Sequence, residues 1–139
     1  MIVLDTNVVS ELMKPQPAER VVAWVAAHSP GSLYTTNITQ AEILHGVMLL
    51  PPSRRRRAIE AAAEAMFREE FANRLLPFGS DAALPYALIA VDHRRAGRPI
   101  SQLDAQIAAI ARCTGATVAT RNTADFESCG IELVNPWEG

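Results

Sequence analysis

Cysteine is scarce in this chain. Cys113 and Cys129 are the only two, and they do not form a C-x-x-C pair. Two are too few for a disulfide framework, and reduced thiols are a plainer expectation than a single bridge. His28, His45 and His93 are scattered, with no H-x-x-x-H pair and no Cys/His cluster, which argues against zinc. Lysine is rarer still. Lys14 stands alone in a proline-broken loop, away from the strand end where a phosphorylatable receiver domain needs one. No apolar run nears the roughly 20 residues of a membrane span; Val21–Ala27 is the longest obvious one. Asp5 interrupts the first apolar run, and no basic stretch precedes it, so an ordinary signal peptide is not expected. Aromatic residues are few, at 6%. An excess of positive charge is also missing: the formal net charge is −2, unlike that of a protein that coats DNA. An acidic, metal-dependent nuclease stays open. These absences point to a cytoplasmic protein with no membrane association.

What remains is an ordinary globular composition, 49% hydrophobic, in 139 residues, enough for one domain. Ile2–Leu4 reads as a short strand covered on both faces. The pattern predicts helices over Val8–Leu12, Ala18–His28, Thr39–Leu50 and Ser53–Asn73. A further helix is capped by Asp81 and ends near Gly97, and another covers Ser101–Thr114, with Gly115 as its stop. Leu33–Thr36, Leu75–Phe78, Thr117–Ala119 and Ile131–Val134 are the other strands. Short strands alternating with helices imply an α/β fold with a short parallel β-sheet flanked by helices, in one domain over residues 1–139.

Ligands in such sheets gather beyond the carboxyl ends of the strands. Asp5 follows the first strand, and Glu42 falls near the start of the helix after the second. Asp104 opens the Ser101 helix, and Asp125 comes shortly after the Thr117–Ala119 strand. Four carboxylates from distant parts of the chain can meet at one edge, where only cations would relieve their repulsion. Oxygen ligands select magnesium or manganese over zinc. Each acid also has a plainer reading. Thr39-x-x-Glu42 and Ser101-x-x-Asp104 fit capping boxes, Asp5 could pair with an arginine, and Asp125 could be a turn residue. An aspartyl phosphatase of the haloacid-dehalogenase kind would want a second acid where Asn7 stands.

Read together, the motifs are more specific. Met1-Ile2-Val3-Leu4-Asp5-Thr6-Asn7, Ile38-Thr39-Gln40-Ala41-Glu42-Ile43 with Gly46, Leu103-Asp104-Ala105-Gln106-Ile107-Ala108 and Thr120-Arg121-Asn122-Thr123-Ala124-Asp125-Phe126 resemble, in order and spacing, the four motifs of PIN-domain proteins. The likeness is greatest to VapC toxins of toxin–antitoxin pairs, and the closing Asn135-Pro136-Trp137 is similar to their FitB branch. The resemblance implies a single PIN domain and a magnesium-dependent (or manganese-dependent) endoribonuclease. Its catalytic residues would be Asp5, Glu42, Asp104 and Asp125, with metal at Asp5, Glu42 and Asp104. Thr6, Asn7 and Asn122 would support them, and Arg121 could contact RNA. Many relatives carry an acid where Asn122 stands. The resemblance further implies an antitoxin that blocks the enzyme with an apolar helix and a cation, a homodimer, and contact with DNA only through the antitoxin. The alternative is a non-cleaving PIN subunit that acts as a partner-binding module in a DNA-bound regulatory complex.

Outside the motifs, Arg54–Arg57 reads as a solvated or partner-facing helix start balanced by Glu60, Glu64, Glu69 and Glu70. Trp24 and Trp137 read as core or interface residues rather than platforms for bases.

Overall fold

The computed structural model describes residues 1–138. Five parallel strands, β1 (Ile2–Leu4), β2 (Leu33–Thr36), β3 (Leu75–Leu76), β4 (Thr117–Ala119) and β5 (Leu133–Val134), lie in the order β3-β2-β1-β4-β5. Alternation decides their faces. Val3, Tyr34, Leu76, Val118 and Leu133 pack with α5 (Ala83–Arg95) and α6 (Gln102–Thr114). Ile2, Leu4, Leu33, Leu75, Ala119 and Val134 pack on the other side. There they meet α1 (Thr6–Leu12), α2 (Glu19–Ala26), α3 (Asn37–Met48) and α4 (Arg54–Ala65). The strands are mostly apolar or β-branched because both faces are covered, and the buried Thr35 hydroxyl donates to the Leu4 carbonyl. The chain leaves β1 toward β2 and β3, then returns to β4 and β5 on the other side. The crevice beyond β1 and β4 is therefore the switch point of the sheet.

Several helix boundaries differ from the sequence pattern. The first helix begins at Thr6 rather than Val8, because Asp5 itself is the N-cap and accepts from the Thr6 N–H. α3 begins at Asn37 because the fully buried Thr36 hydroxyl accepts from the Thr39 N–H. Thr39 is thus inside the helix and Glu42 is in its second turn, so the capping-box alternative for Thr39 and Glu42 does not hold. The long helix over Ser53–Asn73 is regular only to Ala65. It then widens into a π-turn over Met66–Glu70, which ends before Asn73 at φ 62°. Asp81 lies inside a 3-10 turn (Ser80–Ala82) and caps nothing. Gly115, at φ 72°, ends α6 as expected, since an L side chain is strained there.

Among the described residues the sole ion pair is Lys14–Glu11. The arginines at the start of α4 are accordingly not paired with nearby glutamates; Arg56 instead donates to the Leu50 carbonyl and to Met48 Sδ. Cys113 and Cys129 are both free thiols. No helix among the described residues is long and apolar enough to cross a membrane.

Candidate active site

The switch-point crevice opens on Asp5. The register Leu4↔Ala119 places the next residues of the two strands, Asp5 and Thr120, side by side. The Thr120 hydroxyl donates to Asp5 Oδ2 at 2.8 Å, and the Thr6 N–H donates to Oδ1 at 2.8 Å. Both carboxyl oxygens are held, yet the side chain is 5% exposed and lies among acids. Burial pushes its pKa up to about 6. The bonds from Thr120 and Thr6 pull it down, and the charges of Asp104 and Glu42 push it up.

Glu42 reaches the crevice from α3. Its Oε1 accepts from the Thr6 hydroxyl at 2.9 Å, and that hydroxyl also lies 3.0 Å from Thr39 Oγ1. Asp104 enters from the first turn of α6, whose N-cap Ser101 accepts from the Asp104 N–H at 3.2 Å. Burial raises the Asp104 pKa, Ser101 lowers it, and Asp125 raises it further. Asp5, Glu42 and Asp104 line one cavity of about 430 Å³ together with Thr6, Asn7, Asn122, Arg121 and Trp137. Asp125, in the 3-10 turn Thr123–Phe126, does not line it. It lies on the other side of Asp104, in a neighbouring cavity of about 370 Å³ with Arg98 and Ser101.

Comparison with known proteins decides the family. The PIN domain family matches residues 2–130. The chain belongs to the PIN-domain family. It is 41% identical over 138 residues to a VapC ribonuclease of Sinorhizobium fredii, covering 99% of both chains. It is 40% identical over 137 residues to the toxin FitB of Neisseria gonorrhoeae, again covering 99% of both. A solved structure of FitAB bound to a DNA fragment superposes with a TM-score of 0.91 at 40% identity, over 99% of this chain and 96% of that one.

Within this PIN domain the donor set is all oxygen. Among the described residues no three carboxylate, imidazole or thiol groups stand close enough to ligate one ion together. That spacing still suits magnesium, which keeps several waters and takes one or two carboxylates directly. The crowded acids whose charges raise the Asp5 pKa are the feature a cation would relieve.

Sequence reasoning missed the anchor of the site. Thr120, fully buried, donates to Asp5, lies within reach of the Asn7 amide at 3.3 Å, and accepts from the Asn122 N–H. Its signal was its place directly after the strand beside β1. Asn7 Oδ1 also accepts from the Arg121 N–H, so the two asparagines and Thr120 join the ends of β1 and β4. Glu11, Lys14 and Ser10 complete the rim. Glu11 is buried, and its pKa is lowered first by its bond to Lys14. Trp137 lies against the core on the α1–α4 side, as expected, but also lines the cavity.

Proposed function

We propose that this PIN domain is a divalent-cation-dependent endoribonuclease that hydrolyses RNA phosphodiester bonds, the toxin of a type II toxin–antitoxin pair. The observation that carries this reading is the convergence of Asp5, Glu42 and Asp104 on one cavity at the switch point of a parallel sheet. The similarity to a VapC ribonuclease and to the toxin FitB along the full chain supports it.

Asp5, Glu42 and Asp104 would hold magnesium, or manganese in its place, one or two of them directly and the rest through water. Such an ion, when bound, makes water a better nucleophile at neutral pH and offsets charge on the phosphate. The chain's own residues divide the remaining work. Glu42 is the proton acceptor: one carboxyl oxygen is steadied by Thr6, and the other makes no hydrogen bond among the described residues. Asn7, Asn122 and Thr120 fix the geometry of Asp5. Arg121, on the rim, meets the phosphate. Asp125 acts from behind Asp104, through its charge.

The antitoxin reading has its own support. A largely apolar groove of about 630 Å³ runs between α1, α3 and α4, past Met13, Ile43, Val47, Leu50 and Ile59, and shares Thr6 and Glu42 with the acid cavity. An amphipathic helix lying there could direct an arginine or lysine at the acids. DNA would be reached only through that antitoxin. A homodimer is supported by Leu84, Leu88 and Val91, which form an exposed apolar stripe along α5, with Leu103 exposed on α6.

The test is incubation of the purified chain with single-stranded RNA, and with DNA of the same sequence, in magnesium and in chelator. RNA cleavage that chelator stops and excess magnesium restores is the expected result. Cleavage insensitive to chelator, or none in magnesium or manganese, contradicts the proposal.

A further inference from the structure

Two cations line the acid cavity. Lys14 is paired with Glu11 at 2.9 Å. Arg121 is in no ion pair among the described residues, although four carboxylates, Asp5, Glu11, Glu42 and Asp104, line the same space. A guanidinium beside carboxylates ordinarily forms a bidentate pair with one of them. Here it lies over the indole of Trp137 instead, 4.9 Å from the ring centroid.

The main chain that carries the indole is itself held. The Trp137 backbone N–H donates to Asn135 Oδ1 at 2.9 Å, and the Trp137 backbone carbonyl accepts from Arg20 Nη1 at 3.2 Å. The backbone of Arg121 is held by Asn7 and approached by the Asn135 amide. The Asn135-Pro136-Trp137 segment thus returns from β5 to the mouth of the cavity and puts an aromatic face under its one unpaired cation. A face of this kind attracts the guanidinium and leaves its N–H donors unspent.

We propose that Trp137 is a positioning residue: its indole holds the Arg121 guanidinium clear of Asp5, Glu42 and Asp104, so that it is open to a phosphate of bound RNA. This rests on the ribonuclease reading of the cavity. Without the indole, Arg121 folds onto the carboxylates, which removes a phosphate contact and neutralises part of the acid site.

The test is a double-mutant cycle. Arg121→Ala, Trp137→Ala and the double variant are compared for binding of a fluorescently labelled single-stranded oligoribonucleotide, in an Asp5→Asn background that does not cut. The same changes in the uncompromised chain are compared for KM and kcat. Each single change should weaken binding about three- to tenfold. The double variant should be no weaker than Arg121→Ala alone, and KM should move more than kcat. Trp137→Phe, which keeps an aromatic face, should restore most of the binding and guards against a misfolded alanine variant. Additive losses would mean that Trp137 contacts RNA on its own account. Additivity, wild-type binding by Trp137→Ala, or failure of phenylalanine to rescue would each overturn the proposal. A coupled cycle in binding with no cleavage by the native chain would overturn the ribonuclease reading alone. No RNA binding by the starting protein would overturn both.

Discussion

The carboxyl of Asp5 has two bound oxygens and almost no exposure to water, and its pKa is still raised to about 6. Desolvation, helped by two neighbouring acids, outweighs the hydrogen bonds. Below about pH 4 the group is protonated both folded and unfolded, and no penalty applies. Between about pH 4 and 6 the folded state binds the extra proton, so stability falls as pH rises through this window. Above it the full penalty remains, on the order of 3 kcal/mol before any cation offsets it. Asp5→Asn should therefore melt at or above the wild-type midpoint at pH 7.5 without divalent cations, and the difference should close near pH 4. A lower midpoint at pH 7.5 would mean that the two hydrogen bonds outweigh desolvation. The fourth acid is also a question of single residues. Asn122 lines the cavity and Asp125 does not, so Asn122→Asp should tighten manganese binding, while Asp125→Asn should change activity only slightly. Calorimetric titration of both checks this, and weaker binding by Asn122→Asp would count against it. Asp5 was legible because a carboxylate ending an apolar run has few innocent explanations; Glu42 and Asp104, which also fit capping boxes, stood out only through the family motifs. Thr120 was not legible, because a threonine after a strand is commonplace until the register sets it beside Asp5.

At the scale of elements, the site depends on where helices begin. Local polarity marked each start approximately, but only packing selects among adjacent hydroxyls. Thr36 rather than Thr39 caps α3, and the shift releases Glu42 from backbone duty into the cavity. Ser101 is different: the sequence placed it correctly, and it both caps α6 and lowers the Asp104 pKa. Ser101→Ala should cost about 1 kcal/mol of stability. It should also raise the magnesium concentration needed for half-maximal activity below neutral pH, since Asp104 would protonate more readily. Denaturant unfolding and a magnesium titration at two pH values measure these effects. Unchanged values in both would leave Ser101 without a role. The strands were legible as short apolar or β-branched runs, and the two edge strands shortened to two residues each. Leu75 and Leu76 meet β2 before the chain turns away at Pro77, and only Leu133 and Val134 pair with β4.

For the molecule as a whole, the sheet order explains why residues from both ends of the chain meet. Strands β1 and β4 are neighbours though more than a hundred residues apart, and the groove between α1, α3 and α4 runs into the crevice they form. Alternation of strands and helices made the α/β class readable, but the groove needs the packed helices. Gly46 lies in its wall, inside a helix, and a Cβ there meets nothing within 4 Å. Alanine would stabilise that helix by roughly 0.5–1 kcal/mol, so local stability does not account for the glycine. An open groove does. On the proposed function, Gly46→Phe should fold at least as stably as wild type and cut RNA at an unchanged rate, while binding the proposed antitoxin about tenfold more weakly or worse. Pull-down with the product of the neighbouring gene and a melting curve test it, and undiminished binding would move the partner elsewhere. The central claim is that Asp5, Glu42 and Asp104 act together on RNA. The most direct measurement is the initial rate of magnesium-dependent cleavage of one oligoribonucleotide by Asp5→Asn, Glu42→Gln and Asp104→Asn beside the unaltered chain, with far-ultraviolet circular dichroism of each. Three folded proteins with cleavage abolished or reduced by orders of magnitude are expected; any one of them cutting at the unaltered rate would contradict the account.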